Sequence, residues 1–520
     1  MQIEQFLERS AVRFPDKTAL VCGTERLTYA EISQMANRLA NALIARGVRR
    51  GDRVAVCLDS CSEAVISIFA ILKAGAIFTV LDHTIKSDGL RHIVNDCSAT
   101  SLVISADKLR DVEVALEQAP CLGSVCVAGV SADLPEHQRL RFFSFDQTIK
   151  GSEFGADAPR KQCMDSDLAA LIYTSGTTGR PKGVMLTHLN MFAASESVIS
   201  YLENDPSDVI LNVLRLSYSY GLYQVLTGFS VGGTVILERS LAYPYLLLDL
   251  IKRERVTAFP LVPTIAAMLL QFDLNRHDLS SLRYITSAGA ALPVSHAQLL
   301  RKWLPRARLF IMYGQTECKR ISYLPPEQLD SRPNSVGIAI PNEEVFIVDE
   351  AGHPVGPGVV GELVVRGPHV MQGYWGLPEE TARALRPGPV RGERVLYTGD
   401  LFTMDEEGYL YFVARKDDII KTRGEKVSPR EIEDVLSAIE GLLEVAVVGV
   451  PDDVFGHSIK AVVTLRDGFS ISAQEIQRHC AMHLEDFKVP RYVEFRTSLP
   501  KTDRGKIDRR EIRHPLEARA

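Results

Sequence analysis

A regular alternation of helix and strand patterns limits the folds open to this chain. Residues 27–47, LTYAEISQMANRLANALIARG, place apolar side chains along one helix face, and Thr28 precedes Glu31 by three residues, the spacing of a capping box. A strand pattern, DRVAVCL, follows, and the later runs ATSLVIS and SVCVAGV continue the alternation. Strands and helices at this spacing predict an α/β fold in which helices cover parallel sheets.

The pattern changes after residue 330. Segments 343–367 and 408–418 alternate apolar and polar residues between Gly and Pro turns, which is typical of antiparallel strands in a smaller sheet. Beyond Arg415, helix patterns at SPREIEDVLSAI and SAQEIQRHCAMHL flank the strand pattern VAVVGV. A chain of 520 residues exceeds one ordinary core. We therefore predict a large N-terminal domain, residues 1–414, with parallel α/β sheets and a small antiparallel β subdomain, and a small α+β C-terminal domain, residues 418–520.

Composition argues against several partners and locations. The formal net charge of −6 gives no basic field for nucleic acid. The longest apolar stretch, residues 64–81, is interrupted by Lys73 and Gly75, so it indicates a helix followed by a strand and no membrane span. The N-terminus lacks an apolar core of signal-peptide length. Nine scattered cysteines without zinc spacing indicate reduced thiols. We expect a cytoplasmic protein without a nucleic-acid partner.

A loop rich in glycine and hydroxyl groups lies within residues 171–188, LIYTSGTTGRPKGVMLTH. The apolar run before it indicates a buried strand, and such strand-to-loop junctions bind ligands in open α/β sheets. Hydroxyl and backbone donors beside a cation suit phosphate oxygens, although Gly/Ser/Thr runs are also common as solvated linkers. The P-loop pattern of Gly-Lys followed by Ser or Thr is absent, which disfavours a P-loop kinase. The phosphate-binding candidates are Thr174, Ser175, Gly176, Thr177, Thr178, Gly179 and Lys182.

Four further motifs follow this loop: YGQTE at 313–317, YTGDL at 397–401, RKDDIIKTRGEKVSPREIE from Arg415 and PKTDRGKIDRRE from Pro500. Together the five motifs resemble those of the adenylate-forming superfamily, which includes acyl-CoA synthetases, stand-alone adenylation enzymes and luciferase-like ligases. The similarity extends over nearly the whole chain. It implies an enzyme that uses ATP to convert a carboxylic acid into an acyl-adenylate, releases pyrophosphate, and passes the acyl group to the thiol of CoA or phosphopantetheine.

The resemblance also implies roles for particular residues. Lys506 corresponds to the lysine that bridges the attacking carboxylate and the α-phosphate, two anions that repel each other. Thr316 and Glu317 are further catalytic candidates, and Glu317 is the expected ligand of Mg²⁺. Asp400 and Arg415 correspond to the residues that contact the ribose. The other nucleotide-binding candidates are Tyr313, which matches the adenine-stacking residue, Gly314, and the backbone of Gly289, Ala290 and Ala291 in SAGAAL.

The same resemblance implies that the small domain takes two positions. Lys506 is needed for adenylation but would crowd an incoming thiol, and in the family the C-terminal domain rotates between the two steps. Asp417, within residues 415–417, matches the hinge position, and Gly424 matches the glycine beside the path of the thiol. We therefore expect the small domain to act as a mobile lid.

The segment LRLSYSYGLYQ, residues 214–224, is the expected acyl pocket. Members that activate α-amino acids place an aspartate where this chain has Ser219, so an α-amino acid is less favoured. The tyrosines favour a small or medium acid over a long fatty chain, although they are also common in packed cores. A dicarboxylic acid bound by Arg215, Lys319 or Arg320 is a further alternative. The acyl-pocket candidates are Tyr218, Ser219, Tyr220 and Gly221.

The expected acceptor is CoA or a separate acyl or peptidyl carrier protein, since both present a phosphopantetheine arm. A stand-alone enzyme that loads an amino acid onto a carrier protein is the main alternative, because TECKR followed by SYLPPE is similar to carrier-loading ligases. A nucleotide-binding pseudoenzyme is more remote, because Lys506, Glu317 and Asp400 are all present. An oxygenase of the luciferase type is a further alternative. We expect a monomer or a homodimer.

Overall fold

A computed structural model of the protein describes residues 1–130, 134–175, 181–239, 244–422, 425–452, 456–502 and 507–513. The chain forms two compact units. The large unit comprises Met1–Val345 and Val365–Leu396, and the small unit comprises Phe346–Val364 and Tyr397–Ala520. The domain limits predicted at residues 414 and 418 stay predictions. None of the described helices combines the length and the apolar character that crossing a bilayer requires.

Strands and helices alternate through most of the large unit, as the sequence predicted. The strands up to residue 339 are β1 (Thr18–Cys22), β2 (Glu25–Thr28), β3 (Arg53–Cys57), β4 (Ile77–Val80), β5 (Ser101–Ser105), β6 (Ser124–Ala128), β7 (Arg141–Ser144), β8 (Leu168–Ser175), β9 (Pro181–Thr187), β10 (Val209–Asn212), β11 (Thr234–Leu237), β12 (Ala258–Leu261), β13 (Tyr284–Ser287), β14 (Arg308–Tyr313), β15 (Ser322–Leu324) and β16 (Ile338–Ala339). The helices of this region are α1 (Glu4–Arg13), α2 (Tyr29–Ala45), α3 (Ser62–Lys73), α4 (Ser87–Asp96), α5 (Ala106–Glu117), α6 (Phe145–Lys150), α7 (His188–Leu202), α8 (Ser219–Val231), α9 (Pro244–Glu254), α10 (Pro263–Leu269) and α11 (Val294–Trp303).

Three of the strands that follow include residues assigned to each of the two units. These three are β17 (Glu344–Val348), β18 (Gly361–Arg366) and β21 (Arg394–Met404). The large unit also contains β19 (Gly373–Tyr374), α12 (Pro378–Ala384) and β20 (Leu385–Pro387).

Two sheets form the framework of the large unit. One has nine strands in the order β16-β15-β14-β13-β12-β10-β11-β1-β2, and its run from β14 to β1 is parallel. The other has eight strands in the order β19-β9-β8-β4-β3-β5-β6-β7, and its run from β8 to β7 is parallel. The prediction of parallel sheets covered by helices is confirmed. Parallel strands place their carboxyl ends along one edge, where open α/β sheets bind ligands.

Aromatic side chains pack α2, α3 and α8 together in the core of the large unit. The ring of Phe229 on α8 lies 5.3 Å from that of Tyr29 on α2 and 5.4 Å from that of Phe69 on α3. All three side chains are buried, and the burial of each phenylalanine contributes roughly 1.5–3 kcal/mol. The capping box of α2 is confirmed, because Thr28 Oγ1 accepts from Glu31 N and Glu31 Oε2 accepts from Thr28 N. All nine cysteines carry free thiols.

The small unit has mixed α and β structure, as the sequence predicted. Its three-stranded sheet has the order β25 (Leu442–Asp452), β26 (Gly456–Leu465), β27 (Tyr492–Phe495), with an antiparallel first pair and a parallel second pair. Ile432 and Ile476, from two helices, pack in one apolar cluster with Val447 and Ile459 of this sheet. The remaining elements are β22 (Leu410–Arg415), β23 (Ile420–Thr422), β24 (Glu425–Val427), α13 (Pro429–Ser437), α14 (Ala473–His483) and α15 (Arg509–Arg513).

Candidate active site

The carboxyl edge of the nine-stranded sheet collects three segments that are far apart in sequence. β10 leads into the predicted acyl-pocket segment, β13 leads into residues 289–291, and β14 ends at Tyr313. Residues 289–291 are exposed, and Gly289 has a φ of +89°, a left-handed conformation that favours glycine. Because these strands are parallel, the predicted adenine, backbone and acyl segments lie at the same edge.

The chain approaches itself closely at Gly314. A Cβ atom at this position would lie 2.6 Å from Lys319 O and 2.8 Å from Arg320 Cα, so only glycine fits. Ile321 N donates to Tyr313 O at 2.9 Å, which folds residues 314–320 back onto the end of β14. This tight loop holds the predicted catalytic residues Thr316 and Glu317 half-buried beside Tyr313.

Tyr374 links the predicted metal ligand to the flank of the phosphate loop, and sequence analysis did not identify it. Its hydroxyl donates to Glu317 Oε1 at 2.8 Å, and Lys182 Nζ lies 5.3 Å from its ring centroid. The short strand β19 positions Tyr374 by pairing it with Val184 on β9. Met371 N also donates to Glu317 O at 2.8 Å. Glu317 is therefore oriented through both its backbone and its side chain.

Glu317 fits the chemistry of a magnesium ligand. Mg²⁺ is usually bound by one or two carboxylates together with substrate phosphates and water. The hydrogen bond from Tyr374 engages Oε1 of a carboxylate that is half-buried and so retains some exposure. The role of Glu317 as the metal ligand stays a prediction.

A hairpin carries the predicted phosphate loop. β8 and β9 are antiparallel, and their register places Thr174 opposite Lys182 and Ser175 opposite Pro181. β8 is parallel to β4, so its end lies at the carboxyl edge of the eight-stranded sheet. The loop residues Gly176, Thr177, Thr178 and Gly179 lie outside the described residues.

The acyl-pocket segment turns sharply into α8. A Cβ atom at Gly221 would lie 2.3 Å from Arg215 O, so only glycine fits this turn. Asp82, which follows β4 of the other sheet, holds the segment by accepting from the Arg215 guanidinium and, at 3.4 Å, from Tyr218 Oη. The pKa of Asp82 lies below its ordinary value, because hydrogen bonds from Thr84 and Arg215 outweigh the larger single effect of burial, which raises it. Sequence analysis did not identify Asp82.

A buried lysine lies against the same segment. Lys319 Nζ donates to Ser219 O at 2.9 Å and lies 4.5 Å from the ring centroid of Tyr223. Only 5% of Lys319 is exposed. Burial holds the pKa of Lys319 well below its ordinary value, and the charge of Arg320 acts in the same direction. Aromatic rings and cationic groups therefore surround the start of α8.

The two predicted ribose-binding residues pair with each other in the small unit. β21 and β22 place Asp400 opposite Arg415, and Arg415 Nε lies 3.1 Å from Asp400 Oδ1. Glu362, which sequence analysis did not identify, supports this turn. Its Oε1 accepts from Gly399 N at 3.0 Å, and its Oε2 lies 2.9 Å from Lys416 Nζ. Asp400 and Arg415 thus share one locally fixed site.

The predicted hinge residue differs from its neighbour in its contacts. Asp417 is exposed, whereas Asp418 Oδ1 accepts from Arg513 Nη2 at 3.1 Å and thereby contacts α15. This ion pair fixes the chain immediately after Asp417 to the rest of the small unit. The role of Asp417 as a hinge stays a prediction.

Two predicted residues of the small unit, Gly424 and Lys506, lie outside the described residues. For both residues, the described segments that flank them in the sequence pair with each other. The ends of β23 and β24 pair across Gly424, and Lys501 and Ile507 form an antiparallel bridge on the two sides of Lys506. The roles of both residues stay predictions.

Comparisons with known proteins agree with these motifs. The family model of the AMP-binding enzyme matches residues 7–375, and that of the AMP-binding enzyme C-terminal domain matches residues 431–506. The long-chain-fatty-acid–CoA ligase of Bacillus subtilis (strain 168) is 34% identical over 98% of this chain and 94% of its own. The feruloyl-CoA synthase of an Amycolatopsis species is 35% identical over 97% of both chains.

A solved structure agrees over the same extent. The crystal structure of ATP-bound MatB from Rhodopseudomonas palustris has a TM-score of 0.87 and 28% sequence identity to this protein, and the match covers 99% of this chain and 98% of that one. The family models, the curated relatives and this structure all match the chain from its N-terminal to its C-terminal part. The chain belongs to the AMP-binding enzyme family and is an AMP-forming acid–thiol ligase.

Proposed function

We propose that the protein activates a small or medium carboxylic acid with ATP and transfers the acyl group to CoA. One relative is named for long-chain fatty acids and another for feruloyl-CoA, so the names leave the size of the acid open. The observation that supports a smaller, polar acid is Lys319, which lies beside Ser219 and Tyr223 of the acyl segment. A long alkyl chain there would pack against a buried cationic group, which is unfavourable.

In the first step, the acid carboxylate attacks the α-phosphate of ATP, an acyl–AMP anhydride forms, and pyrophosphate leaves. Both reactants are anionic, so the chain must supply positive charge. We assign Lys506 to the carboxylate and the α-phosphate, and Lys182 to the β- and γ-phosphates together with the hydroxyls of the loop. Glu317, oriented by Tyr374, would hold Mg²⁺, which offsets phosphate charge when it is bound.

We assign the nucleoside to the residues that the family motifs identify. Tyr313 would stack on adenine, and the exposed backbone of residues 289–291 would border the nucleotide. The two carboxylate oxygens of Asp400 can each accept from one ribose hydroxyl, and Arg415 lies beside them.

In the second step, the thiolate of CoA attacks the acyl carbonyl and AMP leaves. Lys506 would crowd this thiol, so we propose that the small domain rotates about Asp417 between the steps. Gly424 would then border the path of the pantetheine arm. The exposure of Asp417, next to an ion-paired Asp418, supports a hinge at this position.

Loading of an amino acid onto a separate carrier protein is the second candidate. A carrier presents the same thiol as CoA, and the resemblance of TECKR to carrier-loading ligases favours it. The acyl segment argues against an amino-acid substrate. Ser219 offers no carboxylate to an α-ammonium group, and Lys319 beside Ser219 would repel that group. Comparing CoA with a phosphopantetheinylated carrier as the acceptor separates the two candidates. The proposed assembly is a monomer or a homodimer, which sedimentation would decide.

The first test is exchange of radiolabelled pyrophosphate into ATP across a panel of amino, aryl, short-chain, fatty and dicarboxylic acids. Exchange with a short or medium acid, weaker with a long fatty acid, is expected. A preference for long fatty acids would contradict the proposed pocket. No exchange with any acid would favour a nucleotide-binding protein without turnover.

The second test separates the two steps. Lys506→Ala should abolish exchange but spare thioester formation from supplied acyl-adenylate. Gly424→Leu should spare exchange and slow thioester formation, because the larger side chain would obstruct the thiol. Equal loss of both steps in Lys506→Ala, or normal thioester formation in Gly424→Leu, would contradict the alternation.

A further inference from the structure

A pair of buried cations at the start of α8 has no acidic partner in the described part of the chain. Lys319 is 5% exposed and Arg320 is 3% exposed. Of the acids on nearby chain, Glu317 accepts from Tyr374, and burial raises the pKa of Glu343 well above its ordinary value, which favours the uncharged carboxyl group. Buried charges are normally paired, so an unpaired set of this kind is costly unless a ligand compensates it.

The surroundings of the pair add further positive potential. Lys319 Nζ reaches Ser219 O in the first turn of α8, where the helix dipole is positive and a cation is disfavoured. The first N–H groups of a helix have no partner within the helix, and the cap residue Tyr218 supplies no side-chain acceptor. An anionic group placed here would meet a cation and helix N–H donors together.

Three buried polar side-chain atoms of the neighbouring segments have no hydrogen-bond partner among the described residues. These atoms are Arg320 Nε, Ser217 Oγ and Ser287 Oγ. Both cations lie against one ring, because Lys319 Nζ and Arg320 Cζ are each 5.3 Å from the centroid of Tyr220. Tyr220 is itself fixed, because its Oη contacts Thr286 Oγ1 at 2.7 Å. The site is therefore built around one ring of the acyl segment.

We propose that Lys319 and Arg320 bind a second carboxylate of the acid, so that the natural substrate class is a dicarboxylic acid. This inference rests on the proposed function, since it concerns the same acyl pocket. One carboxylate is activated, and the other pairs with Lys319, Arg320 and the N-terminal amides of α8. A monocarboxylic acid of equal length leaves these cations unpaired, and an α-amino acid adds a third positive charge.

The test compares α,ω-dicarboxylic acids of four to eight carbons with their monomethyl esters, which keep the carbon backbone but replace one carboxylate with an uncharged ester that is one methyl group larger. AMP release is measured in the presence of ATP, Mg²⁺ and CoA. The best diacid should exceed its ester in kcat/KM by about 10- to 100-fold, the range of a charged hydrogen bond. Equal kcat/KM for diacid and ester would overturn the proposal, and this comparison needs no variant.

Variants assign the effect to the pair. Lys319→Met and Arg320→Met should each lower kcat/KM for the diacid by about tenfold or more and change it for the ester by less than about threefold. Lys302→Met, at an exposed position of α11, is the matched control and should leave both values unchanged. Equal losses for diacid and ester would indicate a structural role and overturn the assignment. Activity with monocarboxylic acids alone would contradict this inference but not the proposed function. Inactivity with every acid would contradict both.

Discussion

At the scale of single residues, the candidate site depends on places where the backbone approaches itself. Gly314 lies against the backbone of Lys319 and Arg320, and an alanine Cβ would overlap Lys319 O at 2.6 Å. We expect Gly314→Ala to lower the free energy of unfolding by about 1–3 kcal/mol, the usual cost of overpacking, and to slow adenylation. Urea unfolding and pyrophosphate exchange measure these effects. Gly155→Ala, where no atom lies within 4 Å, should change neither, and an unaffected Gly314→Ala would show that the loop relaxes.

A second prediction concerns Tyr374. Tyr374→Phe removes the hydrogen bond to Glu317 but keeps an aromatic ring under Lys182. We expect the Mg²⁺ concentration that gives half-maximal exchange to rise about three- to tenfold, because a hydrogen bond to a charged group contributes about 1.5–3 kcal/mol at most. Tyr411→Phe, which loses a hydrogen bond to Asp405 in the small unit, is the control. An unchanged Mg²⁺ dependence in Tyr374→Phe would contradict the positioning of Glu317.

At the scale of secondary-structure elements, the first strong local signal in the sequence was the capping box of α2. Thr28 Oγ1 accepts from Glu31 N, so Thr28→Ala leaves helix N–H groups without this acceptor. The free energy of unfolding should fall by about 1 kcal/mol. Thr28→Ser keeps the acceptor, so the free energy of unfolding of this variant should fall by less than half as much. Chemical denaturation of the two variants makes the comparison, and equal losses would assign the effect to the methyl group.

The elements also show why the sequence predicted some features and not others. Caps, apolar runs and turn glycines act over a few residues, so α2, β8 and the parallel strands followed from local patterns. Tyr374, Asp82 and Glu362 support site residues that lie far away in the chain, and their contacts depend on which strands become neighbours. A lone Tyr, Asp or Glu carries no such signal. The family motifs identified most of the candidate ligands, but they gave no account of what orients them.

At the scale of the whole molecule, the N-terminal helix joins parts of the large unit that follow it by about two hundred residues. Ile3 N donates to His188 Nδ1 at 3.1 Å, and Ser10 Oγ donates to Phe229 O at 2.6 Å. Helix α1 is thereby bonded to α7 and α8, which pack beside the strands that lead to the site. The state of His188 therefore affects the stability of the large unit as a whole.

His188 predicts a dependence of stability on pH. Burial lowers the pKa of His188 from 6.5 to about 4, so between these values the unfolded chain binds a proton that the folded chain does not. Stability should therefore fall on acidification through this range. His188→Asn can keep the acceptor for Ile3 N without titrating. Its free energy of unfolding relative to that of wild type should therefore rise by up to about 1.4 kcal/mol per pH unit as the pH falls. His369, whose pKa burial also lowers to about 4, is present in both proteins and does not affect the difference. Urea unfolding between pH 4 and 6.5 measures this difference in the free energy of unfolding. As a control, His353→Asn at an exposed position should show no such trend. Parallel pH profiles for His188→Asn and wild type would refute the linkage.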